Sequence, residues 1–362
     1  MSDQSPQKTH LYDWHQKKDA KIVAFAGYAL ALTYPLGLRG EHEACRNAAA
    51  LFDVSHMGQV HVEGAQAVAY LNRLLPLDCE ALAIGNQSYS FLLNEQGKVL
   101  DDLMCARLGP NRFKLVVNGA CKVRDLEHMG AIAADFDVTL EVHDASLIAL
   151  QGPRAAQALT QTDLAQATQL KFMQMSEPVP GYTVSRSGYT GEDGFEISVP
   201  NESVANLCDQ LCALDFVEPA GLGARDSLRL EAGLHLYGQD LWAEISPLDA
   251  GLGWAVPKGR GGFVGAQAIA TQRENGADYA CIALLPEGRA PLRTGDQLFD
   301  LDDQHIGKVT SGLFSPTLGR PIALASVKRS AAKATQFVGQ LRGRPVICEK
   351  TKLPFVKKSY AK

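Results

Sequence analysis

No apolar run in this 362-residue chain is long enough to span a bilayer, so no membrane-crossing helix is expected. Positive charge is not in surplus either. The 35 Lys and Arg residues against 40 Asp and Glu leave a formal charge of −5, which argues against a nucleic-acid or membrane-surface partner. The eight cysteines (Cys45, Cys79, Cys105, Cys121, Cys208, Cys212, Cys281 and Cys348) form neither a CxxC nor a Cys/His ladder of zinc spacing, so no metal is expected. Cys208 and Cys212 stand one turn apart in Val204–Leu214, a spacing that puts both thiols on the apolar side of a helix. Thiols inside apolar runs suit a reducing compartment. The segment Met1–His15 has neither the apolar core of a signal peptide nor an Arg-rich transit pattern, so a cytoplasmic location is the expectation.

Two nucleotide signatures are also missing. In Gly221-Leu222-Gly223-Ala224-Arg225-Asp226 an aspartate stands where a dinucleotide fingerprint needs its third glycine. Arg225-Asp226 then reads either as an ion pair at the start of a helix over Ser227–Leu234 or as an anion or carbonyl clamp. Lys258-Gly259-Arg260-Gly261-Gly262 lacks the order of a phosphate-binding loop and reads as a mobile loop.

The most informative stretch that is present is Asn94-Glu95-Gln96-Gly97-Lys98-Val99-Leu100-Asp101-Asp102-Leu103. Turn residues separate two aromatic and aliphatic runs, so Tyr89–Leu93 and Val99–Arg107 read as a hairpin. Side chains alternate along a strand. Asp101 therefore shares a face with Val99, Leu103 and Cys105, and Asp102 points the other way; without a bulge only one of the two can face a given site. Either both are strand acids satisfied by an Arg or a backbone amide, or one is a site carboxylate whose burial raises its proton affinity.

Around this hairpin the spacing predicts helices over Glu41–Phe52, Ala65–Leu74 and Gly119–Ala133, with Val123, Leu126, Met129, Ile132 and Ala133 facing inward on the last. Strands are expected at Gln59–Val62, Arg112–Asn118, Val138–Val142 and Leu147–Gln151. Glu41-His42-Glu43 reads as a solvated helix start, since adjacent helix positions do not face one another, and His56 reads as structural. In Ser187–Val199, closely spaced glycines let a loop approach something flat or bulky, and Glu196 lies on the strand Phe195–Val199. The alternation of helices with a mostly antiparallel sheet predicts α+β architecture over residues 1–275, in two intertwined domains. From 276 to 362, short strands between Gly, Pro and Asp turns predict a small β-barrel.

Several of these stretches resemble one family, the aminomethyltransferase or T-protein of the glycine cleavage system. They are Phe52–Met57, Asn94–Leu103, Leu150–Pro153, Gly188–Val199, Ala220–Leu234, Tyr237–Asp240 and Val309–Ser315, in matching order from about residue 10 to the end. The resemblance implies three domains in a clover-leaf around a channel for tetrahydrofolate. It implies an enzyme that takes an aminomethyl group from the lipoyl arm of H-protein, passes its methylene to tetrahydrofolate as co-substrate, and releases ammonia. Asp101 matches the family's catalytic aspartate. Glu196 and Arg225 match folate-binding positions, with Tyr89, Asn118 and Tyr360 as further pocket residues. The chain departs from the family's usual Gly-Gly at Gly97-Lys98, and over Gly27–Ala31. A basic patch of Arg289, Arg293, Lys357 or Lys358 would meet an acidic carrier. Two alternatives share the fold: a folate-dependent demethylase of a small sulfonium or methylamine, and a non-catalytic folate-binding iron–sulfur assembly factor. Against the second, the loop Ser187–Glu192 carries no cysteine.

Overall fold

The structure, a computed structural model, describes residues 5–361; the opening residues of the Met1–His15 segment lie outside them. The expected hairpin is present, as strands Gln87–Leu93 and Val99–Gly109 paired antiparallel. Asn94 closes the turn from within, its Oδ1 accepting from the backbone N–H groups of Gln96 (3.0 Å) and Lys98 (2.9 Å). Gly97 takes φ +70°, a left-handed conformation that costs a residue without Cβ little. The hairpin begins a five-stranded sheet in the order Gln87–Leu93, Val99–Gly109, Arg112–Val117, Gly58–Glu63, Thr139–Val142. Alternation, interrupted by a bulge that puts Val99 and Leu103 on opposite sides, gives this sheet two apolar faces. Leu103, Phe113 and Leu115 pack with residues of helices Ala67–Leu74 and Lys122–Ala133, whereas Phe91, Leu93 and Val99 pack with Leu241, Ile245 and Phe263.

Helix Lys122–Ala133 turns Leu126, Met129, Ile132 and Ala133 inward as expected, but not Val123. Val123 is 73 % exposed, and Asp125 and Met129, four residues apart, are the buried pair. An acid thus occupies an inward position.

The second sheet has six strands, in the order Met175–Val179, Tyr182–Ser185, Gly194–Val199, Ser146–Gln151, Ala49–Asp53, Val217–Ala220; the last pairs parallel and the others antiparallel. Every residue of Ser146–Gln151 is buried. Ile148 and Leu150 join one core with Leu207 and Leu211 of helix Val204–Cys212, and Leu147 and Ala149 join another with Phe52 and Leu228. Cys208 is buried and Cys212 half-buried; all eight cysteines are unpaired. Ile22–Tyr34, apolar in sequence, supplies a hairpin of a separate three-stranded sheet.

Glu41-His42-Glu43 corrects the expectation of a solvated helix start. In helix Gly37–Asn47, Glu41 and His42 are buried and only Glu43 is exposed. Glu41 accepts from the backbone N–H groups of Tyr34 and Gly221 (2.8 Å for the latter), so it ties this helix to the start of the next. That next helix, Leu222–Glu231, begins earlier than expected, because extended Gly221 stands at its N-cap and leaves Arg225 and Asp226 inside the first turns.

A closed barrel completes the fold, in the order Tyr279–Pro286, Arg320–Lys328, His305–Ser315, Gln297–Phe299, Gln336–Leu341, Arg344–Thr351 and back to the first. Strand Arg320–Lys328 serves two cores by alternation: Ala323, Ala325 and Val327 fill the barrel, while Ile322 and Leu324 pack outward on Leu230. The architecture is α+β with a C-terminal barrel, as the sequence predicts. No helix among the described residues is long and apolar enough to cross a membrane.

Candidate active site

The acid pair sits next to a bulge. Leu92 pairs with Asp101 but Leu93 pairs with Val99, so Leu100 is the extra residue on its strand. Asp101 is fully buried and Asp102 half-buried, on opposite faces as strand alternation requires. Yet one amide reaches both. Asn118, just beyond the neighbouring strand, donates from Nδ2 to Asp101 Oδ1 (2.9 Å) and Asp102 Oδ1 (2.7 Å), and its backbone N–H donates to Asp101 Oδ2 (3.0 Å). The Tyr89 hydroxyl donates to Asp102 Oδ2 (2.8 Å). Burial, and then the nearby Asp101 charge, push the Asp102 carboxyl up to about 7 despite these donors. Asn118 thus couples two acids that face opposite ways.

A second cluster forms where the Gly-rich loop meets helix Leu222–Glu231. Its loop is fixed by Gln151, whose Nε2 donates to Ser187 O (2.9 Å) and whose Oε1 accepts from Thr190 (2.8 Å). A Cβ on Gly188 would lie 1.7 Å from Gln151 Oε1, so the glycine admits this amide rather than a ligand. The Arg225 guanidinium lies 4.7 Å from the centroid of the Tyr189 ring, and its Nη1 is shielded from solvent with no partner. Burial holds the Arg225 pKa below its usual range, with Glu196 and Tyr189 opposing. Asp226 is not the partner of Arg225, since it accepts from Arg229 (2.8 Å). Half-buried Glu196 accepts from the Ser187 hydroxyl (2.6 Å). Tyr189, whose hydroxyl donates to His235 O, feels the charges of both Asp102 and Arg225 and so lies between the two clusters.

The C-terminal tail brings in the sixth residue. Ser359 donates its N–H to Gly191 O (2.9 Å) and its hydroxyl to Glu192, which lays the tail along the loop. Tyr360 stacks on Phe172, centroids 4.1 Å apart, and burial, then the Glu192 charge, push its hydroxyl up to about 12, with Glu196 adding to them. Asp101, Asn118 and Tyr89 are thus linked through Asp102, Arg225 and Glu196 each meet the Ser187–Tyr189 loop, and the tail that carries Tyr360 lies along the same loop.

Other sequence features fall elsewhere. Lys98 reaches Asp249 (3.7 Å) rather than the acid pair. His56 is buried with Nδ1 unpartnered, and burial, then Arg225, push it down to about 4; it is a neutral ring. Arg260 pins the Lys258–Gly262 loop to Asn72 (2.7 Å). That loop borders a cavity of about 520 Å³ lined by Arg73, Glu95 and Arg273 among others, but by none of the six residues above. Sequence reasoning passed over Tyr189 and Asp125. Only Tyr189 carried a signal, as the single aromatic among the loop glycines.

These clusters are chemically complementary: carboxylates suited to N–H donors and developing cations, a half-free guanidinium suited to a carbonyl, and aromatic faces for a planar ring. Comparison with known proteins gives the setting. Residues 11–260 match the GCVT N-terminal domain, and residues 279–357 the glycine cleavage T-protein C-terminal barrel domain. The chain is 40 % identical to an aminomethyltransferase of Caldanaerobacter subterraneus, over 98 % of this chain and 97 % of that one. It is 39 % identical to the mitochondrial aminomethyltransferase of Dictyostelium discoideum, over 98 % and 94 %. A crystal structure of the glycine cleavage system aminomethyltransferase T from Bartonella henselae superposes with a TM-score of 0.97 at 41 % identity, covering 99 % of this chain and all of that one. Fold and site together define an α+β protein of the GCVT class, closed by a barrel. Within that class the chain belongs to the glycine cleavage T-protein family, the aminomethyltransferases.

Proposed function

We propose that this chain transfers the methylene of an aminomethyl group, carried on the dihydrolipoyl arm of H-protein, to tetrahydrofolate. Tetrahydrofolate is a substrate here, and its two N–H groups accept the carbon. The aminomethyl thioether and these two N–H groups become methylene-tetrahydrofolate, a free thiol and ammonia, so both N–H protons end on the leaving groups. The carrying observation is the acid pair tied to Asn118 alongside a guanidinium with an unpartnered Nη1.

Asp101 is the catalytic carboxylate in this reading, fixed by Asn118 from both the side chain and the backbone. A fixed anion orients a nucleophilic amine and stabilises a transient iminium cation without reorganising. Glu196 has one donor, leaving lone pairs for the amino and ring N–H donors of a pterin. Arg225 offers Nη1 to a ring carbonyl, and Tyr89 and Tyr360 offer faces for packing. The division at 276 assigns these residues, Tyr360 excepted, to the first 275.

An acidic carrier would meet Arg289, Arg293 and Lys357, all exposed, whereas Lys358 is half-buried against Tyr360. Docking of that kind weakens with salt. The unpaired thiols suit the cytoplasmic location this reading includes.

The test is ammonia release from aminomethylated H-protein with and without tetrahydrofolate. Folate-dependent release supports the assignment. No release, with turnover of a sulfonium compound, would replace it by the demethylase; folate binding without either turnover would replace it by a non-catalytic factor. Asp101→Asn is expected to lower kcat by about 10²–10³-fold with folate affinity nearly unchanged. Equal loss of both would make Asp101 a structural residue.

A further inference from the structure

Asp125 is the one buried acid near the acid pair that the reaction above leaves without a role. It lies on the inward face of helix Lys122–Ala133, fully buried, and both of its oxygens lack a hydrogen-bond donor. An ionised carboxylate without donors in that position is strongly disfavoured by desolvation. Asp101, Cys121 and Asp125 each present an atom within 4.8 Å of one another, so the Asp101 charge faces Asp125 across a buried gap. Protonation resolves the conflict, because a neutral carboxyl becomes a donor and Asp101 is the acceptor beside it.

The surroundings agree on sign. The strand Val99–Gly109 contributes Asp101 and Asp102, two carboxyl groups whose charge disfavours a further one on Asp125, Asp101 more strongly. From the turn before the helix comes Cys121, whose thiol is itself pushed up by burial and by Asp101. Arg124 is the cation that opposes them, with its Nε 3.8 Å from Asp125 Oδ1, too long for a hydrogen bond. It is exposed, and its Nη2 is turned to Leu100 O and to the Tyr237 hydroxyl. Burial first, then Asp101, raise the Asp125 carboxyl to about 9.

We propose that Asp125 is a positioning residue that stores a proton for Asp101, so that the two work as an acid–carboxylate pair in the transfer reaction. The proposal rests on the aminomethyl-transfer reading for its chemistry. As the carbon–nitrogen bond of the aminomethyl group breaks, the electron pair leaves on nitrogen, and the Asp101–Asp125 pair gives up its proton to complete ammonia. The pair regains a proton from the folate nitrogen that bonds to the carbon. The second folate N–H proton goes to sulfur as the carbon–sulfur bond breaks, so nothing is oxidised or reduced. Asp125 acts only through Asp101.

Two measurements test this separately from the reaction reading. With [γ-¹³C]aspartate incorporated, NMR of the resting full chain should show an aspartate carboxyl still protonated at about pH 8, absent in Asp125→Asn. Asp101→Asn should move that resonance to lower pH, which assigns it even if the Asp125 variant does not fold. In the folate-dependent ammonia assay, Asp125→Asn keeps a neutral donor but cannot pass a proton. Its kcat should fall about 10²-fold, and the alkaline limb of its kcat–pH profile should vanish, with folate affinity held. No protonated aspartate at pH 8, or a variant with wild-type kcat and pH profile, overturns the proposal. A wild-type chain that shows the protonated carboxyl yet releases no ammonia would retain the stored proton and discard the reaction.

Discussion

Arg225 shows at the scale of one residue how a site opposes stability. A guanidinium with a solvent-shielded, unpartnered Nη1 costs free energy in the resting protein, and its stacking on Tyr189 offsets only part of that. A ligand carbonyl would supply the missing acceptor. Arg225→Met is therefore expected to weaken folate binding by about 1.5–3 kcal/mol, or roughly 10–100-fold. The same change should leave thermal stability equal or higher, since removing an ill-compensated cation relieves desolvation. Titration calorimetry and a melting curve on one preparation read both signs; a variant that binds folate normally but melts early would mean Arg225 is structural. Arg225 and Asp101 were legible as residues of interest, because charged side chains in apolar or glycine-rich surroundings demand partners. Their partners were not. The sequence left open whether Arg225 pairs with its neighbour Asp226 or serves as a clamp; the fold gives Asp226 to Arg229 and leaves Arg225 Nη1 unpartnered.

At the scale of elements, the hairpin Gln87–Gly109 is where local rules decided most. Polar turn residues and alternating flanks sufficed to place both strands. The turn itself is tightly seated: Gly97 has φ +70°, and a Cβ there would lie 3.2 Å from Ile269. Gly97→Ala should cost about 1–2 kcal/mol of stability, measured by urea denaturation, with folate affinity nearly unchanged because the acid pair hangs from Asn118, not from the turn. A loss of folate binding larger than the loss of stability would show that the turn sets the acids directly. Helix Lys122–Ala133 went differently. Its apolar period predicted an inward Val123, but the face that packs carries Asp125 and Met129. A polar residue at an inward position looks like an outward one until something inside gives it a reason to be there.

For the whole molecule, helix Leu222–Glu231 is the hub that joins the α+β body to the barrel. Arg229 donates to Asp240 (2.6 Å) and Ser311 (2.8 Å), and its last residue, Glu231, accepts from Arg46 (2.6 Å) and Thr317 (2.7 Å), with His42 Nε2 at 3.3 Å. Burial alone would raise the Glu231 pKa, but His42, Ser315 and Thr317 outweigh it and hold the group at about 2. Because the folded value lies below the unfolded value of about 4.3, this stabilisation is complete above that pH and is lost as pH falls toward 2. Glu231→Gln should cost about 3–5 kcal/mol near neutrality and flatten the acid dependence of the melting temperature in that window. An unchanged acid dependence would mean that other carboxylates carry it. The sequence by itself determined the hairpin, the barrel's turn rhythm and the absence of membrane and zinc signatures, because these follow from local periodicity and composition, but not the strand Ala49–Asp53, which its apolar spacing assigned to a helix. Only the tertiary structure decided that Glu41, His42 and Asp125 lie inside, that one Asn118 amide holds both acids, and that Arg225 keeps a nitrogen unpaired. Each of these depends on which side chains distant in the chain are brought within a few ångströms, and no local pattern encodes that distance.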